Sequence, residues 1–192
     1  TKEIDPQSGR PLFKAEIRPI HGSWIEIMVS KNDHLSIRID RRRKLSTTTL
    51  LRAIGYSTNE EMESLFKEVD TDDDHPYIAT TLLKDSSSTT DEALLEFYEK
   101  IRPGEPAVLE NAKNLLRQMF FDPRRYNLGA VGRYKMNKKL AGFHTTKSDT
   151  TTLTKDDIVA TVKYLIALQN GKGKTDDIDH MANRRLRQVG EL

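Results

Sequence analysis

The sequence predicts an α+β fold, with antiparallel strands in residues 1–45 and a mainly helical part over 46–192. Three observations predict it. Two-residue alternation marks Ile25, Ile27 and Val29 against Glu26 and Met28, and Leu35, Ile37 and Ile39 against Ser36, Arg38 and Asp40. Helical periodicity with capping residues takes over afterwards. No internal repeat interrupts this order.

Taken in order, Phe13 to Ile17 is a short alternating run ending before Pro19, which cannot donate to a ladder. Asn32-Asp33 separates the next two strands and reads as a hairpin turn. Ser46 or Thr47 caps a helix carrying Leu50, Leu51 and Ile54, and Gly55 closes it. Thr58-Asn59-Glu60-Glu61 opens a second helix through Leu65 and Phe66. An acidic loop, Asp70 to Asp74, follows. A Ser/Thr/Asp-rich loop at 85–91 precedes an amphipathic helix with Ala93, Leu94, Phe97, Tyr98 and Ile101, which Pro103-Gly104 stops. Further helices are expected at 106–120, with Val108, Ala112, Leu115, Leu116 and Met119 on one stripe, and at 127–140. Polar residues 144–152 lead to a helix capped by Thr154 to Asp157, carrying Ile158, Val162, Leu165 and Ile166, and ending at Gly171.

The 192 residues are enough for a genuine core, and the expectation is one domain over 1–192. No apolar run is long enough to span a bilayer, and the amino-terminal segment lacks signal-peptide character. With no cysteine there is neither a disulfide nor a thiolate metal site, a composition compatible with a reducing cytoplasm. The balance of 31 basic and 29 acidic residues argues against indiscriminate polyanion binding, so any nucleic-acid surface is local. The chain opens on Thr1 and stops at Gly190-Glu191-Leu192 while a basic, helix-like pattern continues, which reads as an excised piece.

The local candidate is His21-Gly22-Ser23-Trp24-Ile25-Glu26 together with Asp40-Arg41-Arg42-Arg43-Lys44. Cations neutralise phosphate and an aromatic ring stacks on an unpaired base. A half-buried core tryptophan beside a solvated charge run fits the same residues, and both readings stand. Near the end, Asp179 and Arg184 are spaced to approach one another if a turn or helix begins between them. A carboxylate accepts from N1–H and N2–H of an unstacked guanine, while a guanidinium addresses its acceptors. The alternative is a helix cap paired with Arg184.

Other motifs fail on spacing. Asp70, Asp72 and Asp74 fit a calcium loop until its sixth position, His75, and its twelfth, Thr81, so an acidic surface turn is expected. Gly171-Lys172-Gly173-Lys174-Thr175 ends like a phosphate-binding loop, but Leu168 stands where the first glycine belongs and a helix precedes it; it reads as a helix stop. The five histidines are dispersed, and Asp176, Asp177 and Asp179 lack the rigid convergence that two-metal catalysis needs.

Several longer words occur in the order found in one family. They are His21 to Glu26, Arg38 to Leu45, Leu51 to Tyr56, Arg102 to Pro106, Arg125-Tyr126 with Leu128 and Val131-Gly132-Arg133, and Asp176 to Leu192. In these the chain resembles the bacterial RNA polymerase beta subunit over nearly all of residues 13–192. The resemblance implies the lobe beside the downstream DNA cleft, a piece of an enzyme that is itself non-catalytic. It further implies that Asp179 and Arg184 belong to a pocket for a flipped guanine of the non-template strand. Trp24 would stack on the neighbouring base, with Asp40 and Arg102 along the strand. The mechanism expected from this is strand capture during promoter opening, in which Arg41, Arg42 and Arg43, with Arg102, hold the backbone or neighbouring bases. A further pocket arginine comes from upstream of Thr1 in the family, so the piece alone should bind poorly. The short join between Phe66 and His75 lacks an inserted domain that some family members carry.

The implied partners are the beta prime, alpha and omega subunits, sigma factor, and promoter and downstream DNA, with no membrane and a cytoplasmic, nucleoid-associated setting. No cofactor is expected here, because the resemblance places the catalytic magnesium on the other large subunit. The rival expectations are a docking surface for sigma or elongation regulators and, more distantly, a nucleotide-dependent enzyme that uses Lys174.

Overall fold

The computed structural model describes residues 1–176. A five-stranded antiparallel meander comes first: β1 (Lys2–Ile4), β2 (Pro11–Ile17), β3 (Ile25–Val29), β4 (Leu35–Ile39) and β5 (Leu45–Ser46), in that spatial order. The helices follow: α1 (Thr47–Ala53), α2 (Asn59–Phe66), α3 (Tyr77–Lys84), α4 (Thr90–Ile101), α5 (Leu109–Phe120), α6 (Gly129–Leu140) and α7 (Lys155–Gln169). This is the α+β arrangement the sequence predicts. None of the helices among the described residues is long and apolar enough to cross a membrane.

Register explains why the central strands hold. Ile17 pairs with Ile25 and Ile25 with Ile39, Ala15 with Ile27 and Ile27 with Ile37, and Val29 with Leu35. One face is therefore a continuous lattice of apolar cross-strand neighbours, the unit that stabilises a sheet. The same register puts Glu26 beside Arg38 on the other face, 3.9 Å apart. The β3–β4 turn sits at the expected place, with Asp33 in the left-handed region at φ 62°.

Three elements escape the sequence pattern. Strands β1 and β5 are only three and two residues long. Helix α3 has eight residues with adjacent β-branched Thr80 and Thr81, and its amino end is satisfied from a distance. The Asp70 carboxylate accepts from the amides of Tyr77 (3.2 Å) and Ile78 (2.9 Å). Asp70 is thus a half-buried helix cap, where the sequence reads as a plain surface turn. Burial raises its pKa, outweighing the two amides. Helix α5 begins later than the expected 106, because Val108 is extended at its N-cap and half exposed.

The helices pack their apolar stripes into one core that also takes the sheet's inner face, including Leu50, Phe66, Phe97, Phe120, Val162 and Ile166. Thr154 and Asp157 form the capping box the sequence predicts at α7. Its far end reaches back to the sheet: Gln169 Oε1 accepts from the Phe13 amide (2.7 Å) and Gln169 Nε2 donates to the Pro11 carbonyl (3.1 Å). The side-chain amide stands in for a neighbouring strand where β2 runs beyond its pairing with β3, which begins at Lys14.

Tyr126 is fully buried, edge-on to Phe120 at 6.5 Å between ring centres. Its hydroxyl has no hydrogen-bond partner among the described residues, and burial, followed by the Asp157 charge, pushes its ionisation far up. Tyr126→Phe is therefore expected to leave stability unchanged or raise it by about 1 kcal/mol, since a buried unpaired donor is a penalty removed. Urea unfolding checks this, and a loss above about 1 kcal/mol would mean that the hydroxyl is bonded.

Candidate nucleic-acid interface

Extending the register by one pair beyond Ile17, Ile25 and Ile39 brings Arg18, Trp24 and Asp40 into a row across β2, β3 and β4. By the two-residue period, this row falls on the sheet face that carries Glu16, Glu26 and Arg38. The Trp24 amide donates to Asp40 Oδ1 (2.8 Å), and the Asp40 amide donates to the Trp24 carbonyl (3.0 Å). Asp40 therefore fixes the backbone that carries the ring.

Asp40 and Arg41 both occupy the left-handed region, at φ 49° and 56°. The Arg42 amide closes the turn on the Ile39 carbonyl at 3.0 Å. Two consecutive non-glycine residues in this region represent strain of about 1–3 kcal/mol each, retained where the surroundings over-determine the turn. The turn aims Arg41 back at the ring, its guanidinium carbon 5.9 Å from the Trp24 centroid. Arg18 lies closer, at 4.8 Å. Trp24 is half-buried, with two cations over its ring.

Arg42 turns the other way. Its Nη1 donates to the Ile101 carbonyl (2.9 Å) at the end of α4, a favourable place for a cation. Arg102 is the C-cap of that helix, half exposed and loosely paired with Glu105 at 3.8 Å. The structure thus brings Trp24, Asp40 and Arg41 together and ties Arg42 to the helix end bearing Arg102. Arg43 is exposed on the same connection. Asp179 and Arg184, with the pocket expected of them, lie outside the described residues.

The loop before Trp24 is held from behind. His21 bridges Asn127, with the Ile20 amide donating to the Asn127 carbonyl (2.9 Å) and the Asn127 amide to the His21 carbonyl (2.8 Å). Gly22, at φ 120°, lies flat against Tyr126: a Cβ there would sit 2.8 Å from the ring and 3.0 Å from the Arg125 carbonyl. Only glycine fits this approach. Two words over 100 residues apart in the sequence are therefore in contact, and the segment at 125–127 sets the height of the tryptophan loop.

Sequence reasoning missed Arg18. Its signal was the hairpin register, which places it opposite Trp24 once Ile17 is paired with Ile25. Glu16 holds it: the carboxylate pairs with Arg18 and, at 2.7 Å, with Lys14 Nζ. Burial works against the Glu16 charge, but hydrogen bonds from Lys14 and Arg18 outweigh it and keep the carboxyl below its usual value. The Trp24 face, the connection after β4 and the end of α4 therefore carry Lys14, Arg18, Arg38, Arg41, Arg42, Arg43, Lys44 and Arg102 against Glu16, Glu26, Asp40 and Glu105, a local excess of cations. No group of three or more metal-ligating side chains converges among the described residues.

Fold and surface define a class: an α+β module with a cation-flanked aromatic on an open face. The particular family follows from comparison, because residues 2–187 match the family RNA polymerase Rpb2, domain 2. The chain belongs to that family. A DNA-directed RNA polymerase subunit beta from Dehalococcoides mccartyi is 44% identical over 193 residues, covering 98% of this chain and 15% of the relative. One from Chloroflexus aggregans is 42% identical over 217 residues, covering 99% and 18%. The chain thus spans less than a fifth of the length of these relatives.

Proposed function

We propose that this chain is the lobe of a bacterial DNA-directed RNA polymerase beta subunit, which captures the unpaired non-template strand during promoter opening. The observation that carries this reading is the row Arg18, Trp24, Asp40, with Arg41 returned onto the ring. An aromatic face flanked by guanidiniums suits a single strand, whose unstacked base takes the ring while its phosphates meet the cations. Duplex DNA offers no such base, so binding follows melting. Arg42, Arg43 and Arg102 extend the cationic track, and Asp179 with Arg184 reads a guanine. The partners are the beta prime, alpha and omega subunits, sigma factor and promoter DNA in the bacterial cytoplasm. Catalysis, with its magnesium, belongs to the rest of the enzyme.

Base stacking and a bidentate base contact are each worth about 1–3 kcal/mol. In polymerase carrying Trp24→Ala or Asp179→Ala, open-complex lifetime should fall several-fold to over a hundredfold. The fall should depend on the downstream non-template base. Lifetimes equal across bases and unchanged in both variants would overturn the reading. A second reading, docking of sigma or an elongation regulator, draws on Val131 and Tyr134, which are about two-thirds exposed on α6. It predicts weakened factor binding when these two are changed and none when Trp24 is.

A further inference from the structure

Resting on strand capture by Trp24, we propose that Arg18 is a further strand-binding residue: it covers the ring in the free protein and, when a base arrives, takes the adjacent phosphate. The guanidinium carbon lies 4.8 Å from the ring centroid, yet the side chain is 47% exposed, so it caps the ring at the surface and is no part of the core. An exposed cation over an aromatic ring is held weakly compared with a stacked base. The base therefore wins the ring, and Arg18 moves aside.

Release is possible because Glu16 does not depend on Arg18 alone. Its carboxylate is 17% exposed, and stripping such a group of every cation would be costly. Lys14 stays at 2.7 Å, itself 29% exposed, and keeps the carboxylate paired when Arg18 leaves. Of the two cations, Arg18 is the more exposed and the one opposite Trp24. A freed guanidinium one strand from a stacked base meets the backbone of the same nucleotide or its neighbour, and its planar fork matches phosphate in a two-point contact. The ligand class is single-stranded nucleic acid, and the contact adds affinity without reading sequence.

The test is the salt dependence of open-complex lifetime in intact polymerase carrying Arg18→Ala, Arg18→Lys or Trp24→Ala. Arg18→Ala should shorten the lifetime by one factor for every base and lessen its log–log salt slope, by at most about 0.7, the equilibrium share of one single-strand phosphate. Arg18→Lys should keep most of that slope, whereas Trp24→Ala removes base dependence. If Trp24→Ala acts as expected while Arg18→Ala leaves the slope unchanged, this inference fails and strand capture stands. If both variants are silent, both fall. A longer lifetime in Arg18→Ala would also overturn it, since Arg18 would then only compete for the ring.

Discussion

Arg133→Ala is expected to destabilise the chain by about 3–5 kcal/mol, the loss seen when one member of a buried ion pair is removed and the other is left. Arg133 is fully buried and Asp157 nearly so. They meet through two parallel hydrogen bonds, Nη1 to Oδ1 at 2.9 Å and Nη2 to Oδ2 at 2.8 Å. Arg133 also donates to the carbonyls of Thr150 (2.8 Å) and Thr152 (2.5 Å), while Asp157 accepts from the Thr154 amide and the Thr146 hydroxyl, both at 2.9 Å. One pair thus joins α6, the 146–154 connection and the start of α7. Helix α6 fully buries only Arg133 and Leu140; beside them Met136 packs partly on the core and Asn137 exchanges hydrogen bonds with the Thr146 backbone (2.7 and 3.1 Å), so the pair is the most deeply buried of its ties.

The same pair sets an acid dependence. Burial alone would raise the Asp157 carboxyl, but Arg133 and the other donors bring it below the ordinary value of 3.8. A carboxyl depressed in the folded state adds stability above its unfolded pKa, and that stability disappears as the pH falls toward the folded value. Urea unfolding between pH 3 and 7 should therefore show a shallower acid-side decline in Arg133→Ala than in the parent. A loss under about 1 kcal/mol at neutral pH would show that the pair is not the joint.

Gly22→Ala carries the second large effect. The new methyl group would meet the Tyr126 ring at 2.8 Å and the Arg125 carbonyl at 3.0 Å, in a backbone at φ 120° that side chains rarely adopt. Strain of about 1–3 kcal/mol adds to overpacking of about 1–3 kcal/mol, an expected loss of about 2–6 kcal/mol in unfolding free energy. Gly104→Ala is the reference: it has positive φ, 86°, with nothing within 4 Å of the added carbon, so it reports strain without the clash. In intact polymerase, Gly22→Ala should also reduce base-dependent open-complex lifetime, although Trp24 itself is unchanged. Equal stability losses in the two variants would mean that the loop lifts freely from Tyr126.

The register of β3 and β4, the caps at Thr58 and Thr154 and the Ala112, Leu115 and Leu116 part of the α5 stripe were legible, because each rests on residues near one another in sequence; Val108, expected on that stripe, is instead the half-exposed N-cap, and the buried Phe120 was missed. Helix α3 was not legible, since its cap comes from Asp70 and its seat on β4 from Thr81, whose hydroxyl accepts from the Leu35 amide at 2.9 Å. The site divides the same way. Trp24 and the Asp40–Lys44 run stood out as residue types. The left-handed turn that sends Arg41 to the ring and Arg42 to α4 did not, because aspartate and arginine carry no glycine signal. Nor did Arg133 and Asp157, which read separately as part of a family word and a cap residue.

Gln169, whose side chain completes β2, sits 156 residues after Phe13. A ribosome adding about 5–20 residues each second needs on the order of ten seconds between them. Through that interval the nascent meander has its turns and its Trp24 row encoded but one stretch of β2 without its closing partner. Newly made sheet is therefore most vulnerable to pairing with a stray strand before α7 emerges. A pause in translation after α6 would lengthen that exposure, whereas one after α7 has left the ribosome would not.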